Sequence, residues 1–288
     1  MKTPLCLRHF FPPCALLRRR VRPLASAGLW LLLAFTPAGC VTEEVPSDTR
    51  RGNFESCWKT LDEHYCFFEE KQKSFGLDWN EVHARYTPMI NERMTSRQLF
   101  EVLGKMVNEL RDGHVNLSAA HNVNRYDNFP MNYNDSLLHK YLGRTDEYYL
   151  SSALAFRVLD DNVGYVRCST FDYAFGSGNL SEMLQTLGPC SGLIIDVRSN
   201  GGGMLTSAEQ LASLFINEPM VRAFIQHKTG KGHHDFSAMR PITIRPFAGL
   251  RWQKKVCILT NRRTFSAANS FVAFLKGLPN VTVVGDQT

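Results

Sequence analysis

Two stretches decide the fold: VCILTNRRTFSAANSFVAFLKGL, residues 256–278, and GLIIDVRSNGGG, residues 192–203. The first reads as a buried strand over 256–261, a tight turn, and an amphipathic helix over 266–278 that begins at Ser266. The second reads as a strand over 192–197 that runs into a triple-glycine turn. A hydroxyl at a helix start sits among main-chain N–H groups without intrahelical partners, at the positive end of the helix dipole. That position suits attack on a carbonyl and retention of the resulting oxyanion. Serine is also a favoured N-cap, worth about 1 kcal/mol over alanine, and a cap needs no chemistry. Three features argue for chemistry. The preceding strand puts Ser266 at the carboxyl edge of a sheet, where α/β proteins hold ligands. Ala267 is small and presents its N–H beside the hydroxyl. Gly201–Gly202–Gly203, at the end of another strand, offers a second N–H with no side chain in the way.

Outward from these stretches, strands and helices alternate. Residues 154–159 and 163–168 read as a hairpin around Asp160–Asp161–Asn162. A helix is expected around 180–187 and another over 204–215. Strand-like runs fall at 221–226 and 241–245, and a final strand at 281–285. This order predicts an α/β layered core with largely parallel pairing. Upstream, residues 54–110 are helical in pattern. Phe54, Trp58, Leu61 and Tyr65 share one face, a second helix starts near Asp78 with a break near Pro88, and a third follows Thr95. Thr95 and Gln98 have capping-box spacing. A short strand is expected at 114–117, and residues 119–150, rich in Asn, Asp and Tyr, read as surface loops. The expected organisation is a leader over 1–39, a tether over 40–52, a small helical domain over 53–112 and an α/β core over 113–288.

The formal charge of +6 comes from the leader. Lys2, Arg8, Arg18, Arg19, Arg20 and Arg22 fall in residues 1–39, which hold no acid; removing six from 33 leaves 27 basic against 27 acidic residues. The pI therefore gives no argument for nucleic-acid binding. The basic segment, the apolar run at 24–35 and the sequence TPAGC have the layout of a secretory leader, too short for a comfortable transmembrane span. Ala38 and Gly39 before Cys40 resemble a bacterial lipoprotein cleavage site, with Pro37 where that motif carries Leu. The expectation is export, with Cys40 lipidated and the chain anchored to a bilayer facing the periplasm or cell surface. Cys57, Cys66, Cys168, Cys190 and Cys257 are odd in number and show no metal-ligand spacing. Cys168 and Cys257 read as buried free thiols.

The two opening stretches, with the later VTVVGDQT, resemble the carboxy-terminal processing and tricorn-type serine peptidases (family S41). That family shows a strand ending in Asp, Arg and Asn with a Gly-Gly turn, then a strand–turn–Ser-Ala helix and a Val-Val-Gly strand. Order and spacing match over 163–288, and LRDGHVNL, residues 110–117, matches the family's amino-terminal part. The resemblance implies a ClpP/crotonase-like spiral core behind a small helical bundle. It implies polypeptide substrates; no cofactor and no metal are expected. It implies Ser266 as nucleophile, with an oxyanion hole from the N–H of Ala267 and of one of Gly202 or Gly203. Asp196 and Asn200 are expected to be framework residues. Asn269 stands where many members carry Glu, and the span 117–163 leaves no room for the peptide-binding PDZ module of processing peptidases.

Two bases remain open. Processing peptidases use a lysine just after the GDQT-like segment, which falls past Thr288. Tricorn-type members use the DGH histidine, here His114, with a serine before it where this chain has Gly113 and an acidic relay residue that would also fall past Thr288. Lys276 lies nearly three turns along the nucleophile helix and points away. The form ending at Thr288 is expected to be inactive or unstable alone. His233 and His234 read as a solvated loop; His64, His83 and His121 lack partners by spacing. Arg262 and Arg263 read as solvated turn residues, or as ligands for a substrate carboxylate. The competing readings are a non-catalytic binding protein for an apolar ligand or peptide, and a crotonase-type acyl-CoA enzyme, which export disfavours.

Overall fold

The central sheet has six strands: β3 (Tyr149–Ser151), β4 (Leu154–Val158), β5 (Val163–Cys168), β6 (Gly192–Asp196), β9 (Lys255–Thr260) and β10 (Val281–Gly285). Their order is β10-β9-β6-β5-β4-β3 in a computed structural model that describes residues 47–129 and 133–288. From β5 to β10 every pairing is parallel; β3 and β4 are antiparallel additions at one edge. The α/β expectation is thus met, including the predicted hairpin between β4 and β5. The leader, Cys40 and the start of the tether lie outside the described residues. Among the described residues no helix is long and apolar enough to cross a membrane.

Three helices cover the sheet: α6 (Ser177–Leu187), α7 (Leu205–Ala212) and α8 (Ala267–Leu275). Their apolar faces join Phe156, Val166, Leu193, Ile195, Val256 and Ile258 of the strands in one hydrophobic cluster. Alternate strand residues point into it, as a period of two requires. The strand-like runs around 221–226 and 241–245 are β7 (Met220–Ile225) and β8 (Arg240–Ile244), an antiparallel pair outside the main sheet.

The amino-terminal part holds α1 (Arg50–His64), α2 (Phe68–Phe75), α3 (Trp79–Tyr86) and α4 (Ser96–Asn108). Asp78 caps α3 by accepting from the Asn80 and Glu81 N–H groups, and the helix ends before Pro88 in a 3-10 turn, Thr87–Met89. Thr95 and Gln98 form both bonds of the capping box of α4. Phe54, Trp79, Val82, Leu103, Met106 and Leu110 make a second hydrophobic cluster, within the same compact unit, Pro46–Thr288.

Three expectations need correction. FEEKQKSF forms α2, a short, mostly charged helix whose pattern is too weak to read alone and which ends on left-handed Gly76. The strand expected at 114–117 is β1 (Asn116–Ala119), because residues 112–115 are taken up by a turn. Residues 119–150 are not all loop. They contain β2 (Asn122–Arg125), antiparallel to β1, and α5 (Asp135–Leu142), started by Asn134 accepting from the Ser136 N–H, before β3. Cys57, Cys66, Cys168, Cys190 and Cys257 are free thiols, with Cys168 buried and its thiol pushed up to about 12, by burial above all.

Candidate functional site

β6 and β9 are parallel neighbours, with Asp196 opposite Leu259, so the loops that follow them leave the same edge of the sheet. Buried polar side chains join those loops. Asn200 donates from Nδ2 to the Cys168 carbonyl at 3.0 Å and accepts the Gly202 N–H at 2.9 Å, while its own carbonyl accepts the Phe265 N–H at 2.9 Å. Asn261 accepts from the Ser199 N–H at 2.8 Å and the Arg263 N–H at 3.1 Å. The Thr264 hydroxyl donates to the Val197 carbonyl at 3.0 Å. All three side chains are buried, so each unmade bond would expose the full desolvation cost of its partner. Asp196 is fully buried, paired with Arg198 through two bonds of 2.9 and 2.6 Å and accepting the Tyr165 hydroxyl at 2.6 Å. Burial opposes its charge, but these bonds hold the carboxyl below its ordinary value. Asp196 and Asn200 hold the scaffold together from beneath; Asn261 and Thr264, which share that work, carry no sequence signal beyond their place in the turn.

The zipped loops present Ser266 in a strained conformation, φ 53° and ψ −124°. That is the first central position of a type II′ turn, which glycine normally fills. The hydroxyl makes no capping bond to α8, so Ser266 is not a conventional N-cap. Gly202 packs against it: a Cβ there would lie 2.6 Å from Ser266 Cβ and 2.9 Å from the Ala267 nitrogen, and its φ is +96°. Gly203 has φ +131° and would place a Cβ 2.3 Å from the Phe171 carbonyl carbon. Both positions therefore require glycine.

The N–H groups sort themselves by partner. Gly202 N–H is taken by Asn200. The bridge between Gly203 and Phe171 uses the Gly202 carbonyl and the Met204 N–H, which leaves the Gly203 N–H unused among the described residues. Ala267 N–H, in the first turn of α8, likewise meets no acceptor among them. Gly203, Ser266 and Ala267 line a cavity of about 440 Å³ together with His114, Phe265, Asn269 and Ser270.

His114 arrives from the other part of the chain. Its ring stacks on Phe265 at 4.2 Å between centroids, and no hydrogen bond joins it to Ser266. Nδ1 lies 3.0 Å from Asp112 Oδ1, which also accepts the His114 main-chain N–H at 2.9 Å. The Tyr65 hydroxyl donates to Asp112 Oδ2 at 2.7 Å. Asp112 was missed by reading the sequence, although an aspartate two residues ahead of a histidine is an Asx-turn signal. Gly113, which replaces the family's serine, lies under Phe265: a Cβ there would be 3.3 Å from the ring.

Other candidates are occupied elsewhere. Arg262 pairs with Asp286 at 3.1 Å and Arg263 with Asp127 at 3.0 Å, so neither is simply a solvated turn residue. Lys276 is the C-cap of α8, at the end away from Ser266. His233 is not solvated loop: it stacks on Phe68 and bonds Asp62 at 2.8 Å, while Lys231 pairs with Glu63 and His234 with Glu69. His83, which lacks a partner by spacing, meets Glu55 at 2.7 Å across α1 and α3. No group of His, Cys, Asp or Glu among the described residues could hold a metal ion.

A mixed α/β layer with a glycine turn, a strained serine and two open N–H groups at one sheet edge defines the class, an acyl-transfer scaffold of the serine-peptidase type. The chain belongs to peptidase family S41. The model of that family matches residues 162–288, and the model of the tricorn protease C1 domain matches residues 46–108. A putative peptidase from Parabacteroides merdae ATCC 43184 is 37% identical in structural alignment, with a TM-score of 0.74 over 82% of this chain and 74% of that one. Mature CPAF, at 12% identity, shares the fold with a TM-score of 0.58 over 82% of this chain and 83% of its own. The carboxy-terminal processing protease CtpB of Bacillus subtilis (strain 168) is 28% identical over 134 residues, 46% of this chain and 26% of that protein. The chain thus matches about a quarter of that curated relative's length.

Proposed function

We propose that the chain is a serine endopeptidase in which Ser266 Oγ attacks a peptide carbonyl. The observation that carries this reading is Ser266 itself. It is held at positive φ, its hydroxyl is not spent on capping, and the unused N–H groups of Ala267 and Gly203 line the same cavity. Those two N–H groups would hold the oxyanion of the tetrahedral intermediate, worth several kcal/mol in comparable sites. A serine hydroxyl needs a base. That His114 lines the same cavity as Ser266 supports it as this base. The acyl-enzyme formed as the amine leaves would then be hydrolysed by water. Family membership supports polypeptide substrates, and the leader with Cys40 supports export as a lipid-anchored protein; Cys40→Ser would then abolish incorporation of a palmitate analogue.

In the full-length protein, Ser266→Ala should lower cleavage of an unstructured peptide by at least about 10³-fold. A fluorophosphonate probe should label Ser266 in the wild type only. Unchanged turnover in the variant would refute the assignment. A second reading, binding of an apolar ligand without chemistry, draws on a groove of about 470 Å³ lined by Leu61, Leu99, Phe100, Leu103 and Leu117. Labelling of Ser266 by the probe excludes it as the sole function.

A further inference from the structure

We propose that Asp112, steadied by Tyr65, sets the tautomer and orientation of His114 from within the amino-terminal part of the chain. The inference rests on the reading of Ser266 and His114 given above and adds to it two positioning residues.

The geometry is fully satisfied at the carboxylate. Oδ1 takes both the main-chain N–H and the ring Nδ1 of His114, and Oδ2 takes the Tyr65 hydroxyl. Burial works against the Asp112 charge, yet these bonds hold its carboxyl below the ordinary value. An ionised carboxylate can only accept, so the proton on a neutral His114 must sit at Nδ1, and Nε2 carries the lone pair. Phe265, the residue before Ser266, stacks on one face of the ring at 4.2 Å and, with the Nδ1 bond, restricts its rotation. Tyr65 is buried, and its hydroxyl is held to donation: burial first, then the Asp112 carboxylate, push its ionisation far upward. The chain Tyr65–Asp112–His114 therefore runs from the helical cluster to the cavity of Ser266.

The chemical step balances with these groups alone. Ser266 Oγ forms a bond to the substrate carbonyl carbon as its proton passes to His114 Nε2. The carbonyl electron pair moves onto the oxygen held by Ala267 and Gly203. His114 then gives the proton to the departing amine as the C–N bond breaks. Asp112 takes no proton; it stabilises the transient imidazolium and fixes which nitrogen accepts. Arg111, immediately before it, adopts φ 47°, so the turn that aims Asp112 is itself held at a conformational cost.

The test uses the full-length protein with ¹⁵N-histidine labelling. In the wild type the neutral His114 ring should show a protonated Nδ1 and an unprotonated Nε2. Asp112→Asn should mix or reverse that pattern and lower kcat about 10²- to 10⁴-fold with KM changed less than about threefold. Tyr65→Phe should give a smaller loss, about 3- to 30-fold, with the tautomer retained. Asp112→Asn with kcat within threefold of wild type, or a wild-type His114 protonated at Nε2, overturns the inference. The wild-type spectrum decides even if Asp112→Asn fails to fold. Full activity in His114→Ala would remove the His114 base itself. Absence of probe labelling at Ser266 would instead remove the peptidase reading, so the failures are distinguishable.

Discussion

Replacing Ser266 with glycine should make the protein more stable while destroying its nucleophile. Ser266 holds φ 53° and ψ −124°, a region in which a Cβ collides with its own backbone. Such residues store about 1–3 kcal/mol. Glycine removes that strain but costs about 0.5–1 kcal/mol of extra unfolded-state entropy. The net gain for Ser266→Gly over Ser266→Ala is about 0–2.5 kcal/mol. Alanine keeps the Cβ and its strain, and it loses no cap because the hydroxyl makes none. Ser266→Ala should therefore match the wild type within about 0.5 kcal/mol. For a unit of this size each kcal/mol moves Tm by about 2–4 °C. Urea unfolding at fixed pH, with midpoints compared at constant slope, gives the difference. If Ser266→Gly proves less stable than Ser266→Ala, the strain is not stored at this residue, and the argument that the fold forces Ser266 into place fails.

Asn200→Ala should cost about 1–3 kcal/mol, because the buried Gly202 N–H would be left without a partner while the Cys168 carbonyl keeps its bond from Arg167. A loss under about 1 kcal/mol by denaturant titration would show that the loops do not depend on this side chain. Acid should unfold the protein in part through Asp196. Its carboxyl lies below the ordinary 3.8 in the folded state, so the unfolded chain binds the proton first as pH falls. Its contribution is complete above about pH 5 and is lost as pH drops through the folded value. Stability measured from pH 6 to 2 should fall most steeply below about pH 4. That slope should be shallower in Asp196→Asn; an equal slope would mean another carboxylate controls the acid limb.

Much of the core was legible because its signals are local. The run 256–260 is apolar, a turn follows, and the helix after Ser266 repeats its apolar residues at helical spacing, so β9 and α8 fall within a residue or two of expectation at most points. Asp78, Pro88 and the Thr95–Gln98 pair mark the ends of α3 and α4 through bonds made within a few residues. Signals failed where length or partnership was missing. α2 has eight residues and few apolar ones, and β1 with β2 has four each, too short for a period to stand out from chance. His233 looked solvated because its partners Asp62 and Phe68 lie 171 and 165 positions away, and spacing carries no information over that distance.

The sequence by itself determined the α/β class, the nucleophile candidate and the glycine turn, because each depends on neighbours along the chain. It could not decide what Ser266 does with its hydroxyl, since an N-cap and a strained turn residue have the same local spelling. It could not separate Gly202 from Gly203, whose difference is the Asn200 side chain on one N–H and a bridge to Phe171 beside the other. Nor could it find the Tyr65 hydroxyl that steadies the carboxylate beside His114. Tertiary structure decided these points, because hydrogen-bond satisfaction is a property of groups that meet in space. Tyr65 and Asp112 are 47 residues apart in the chain and 2.7 Å apart at their oxygens.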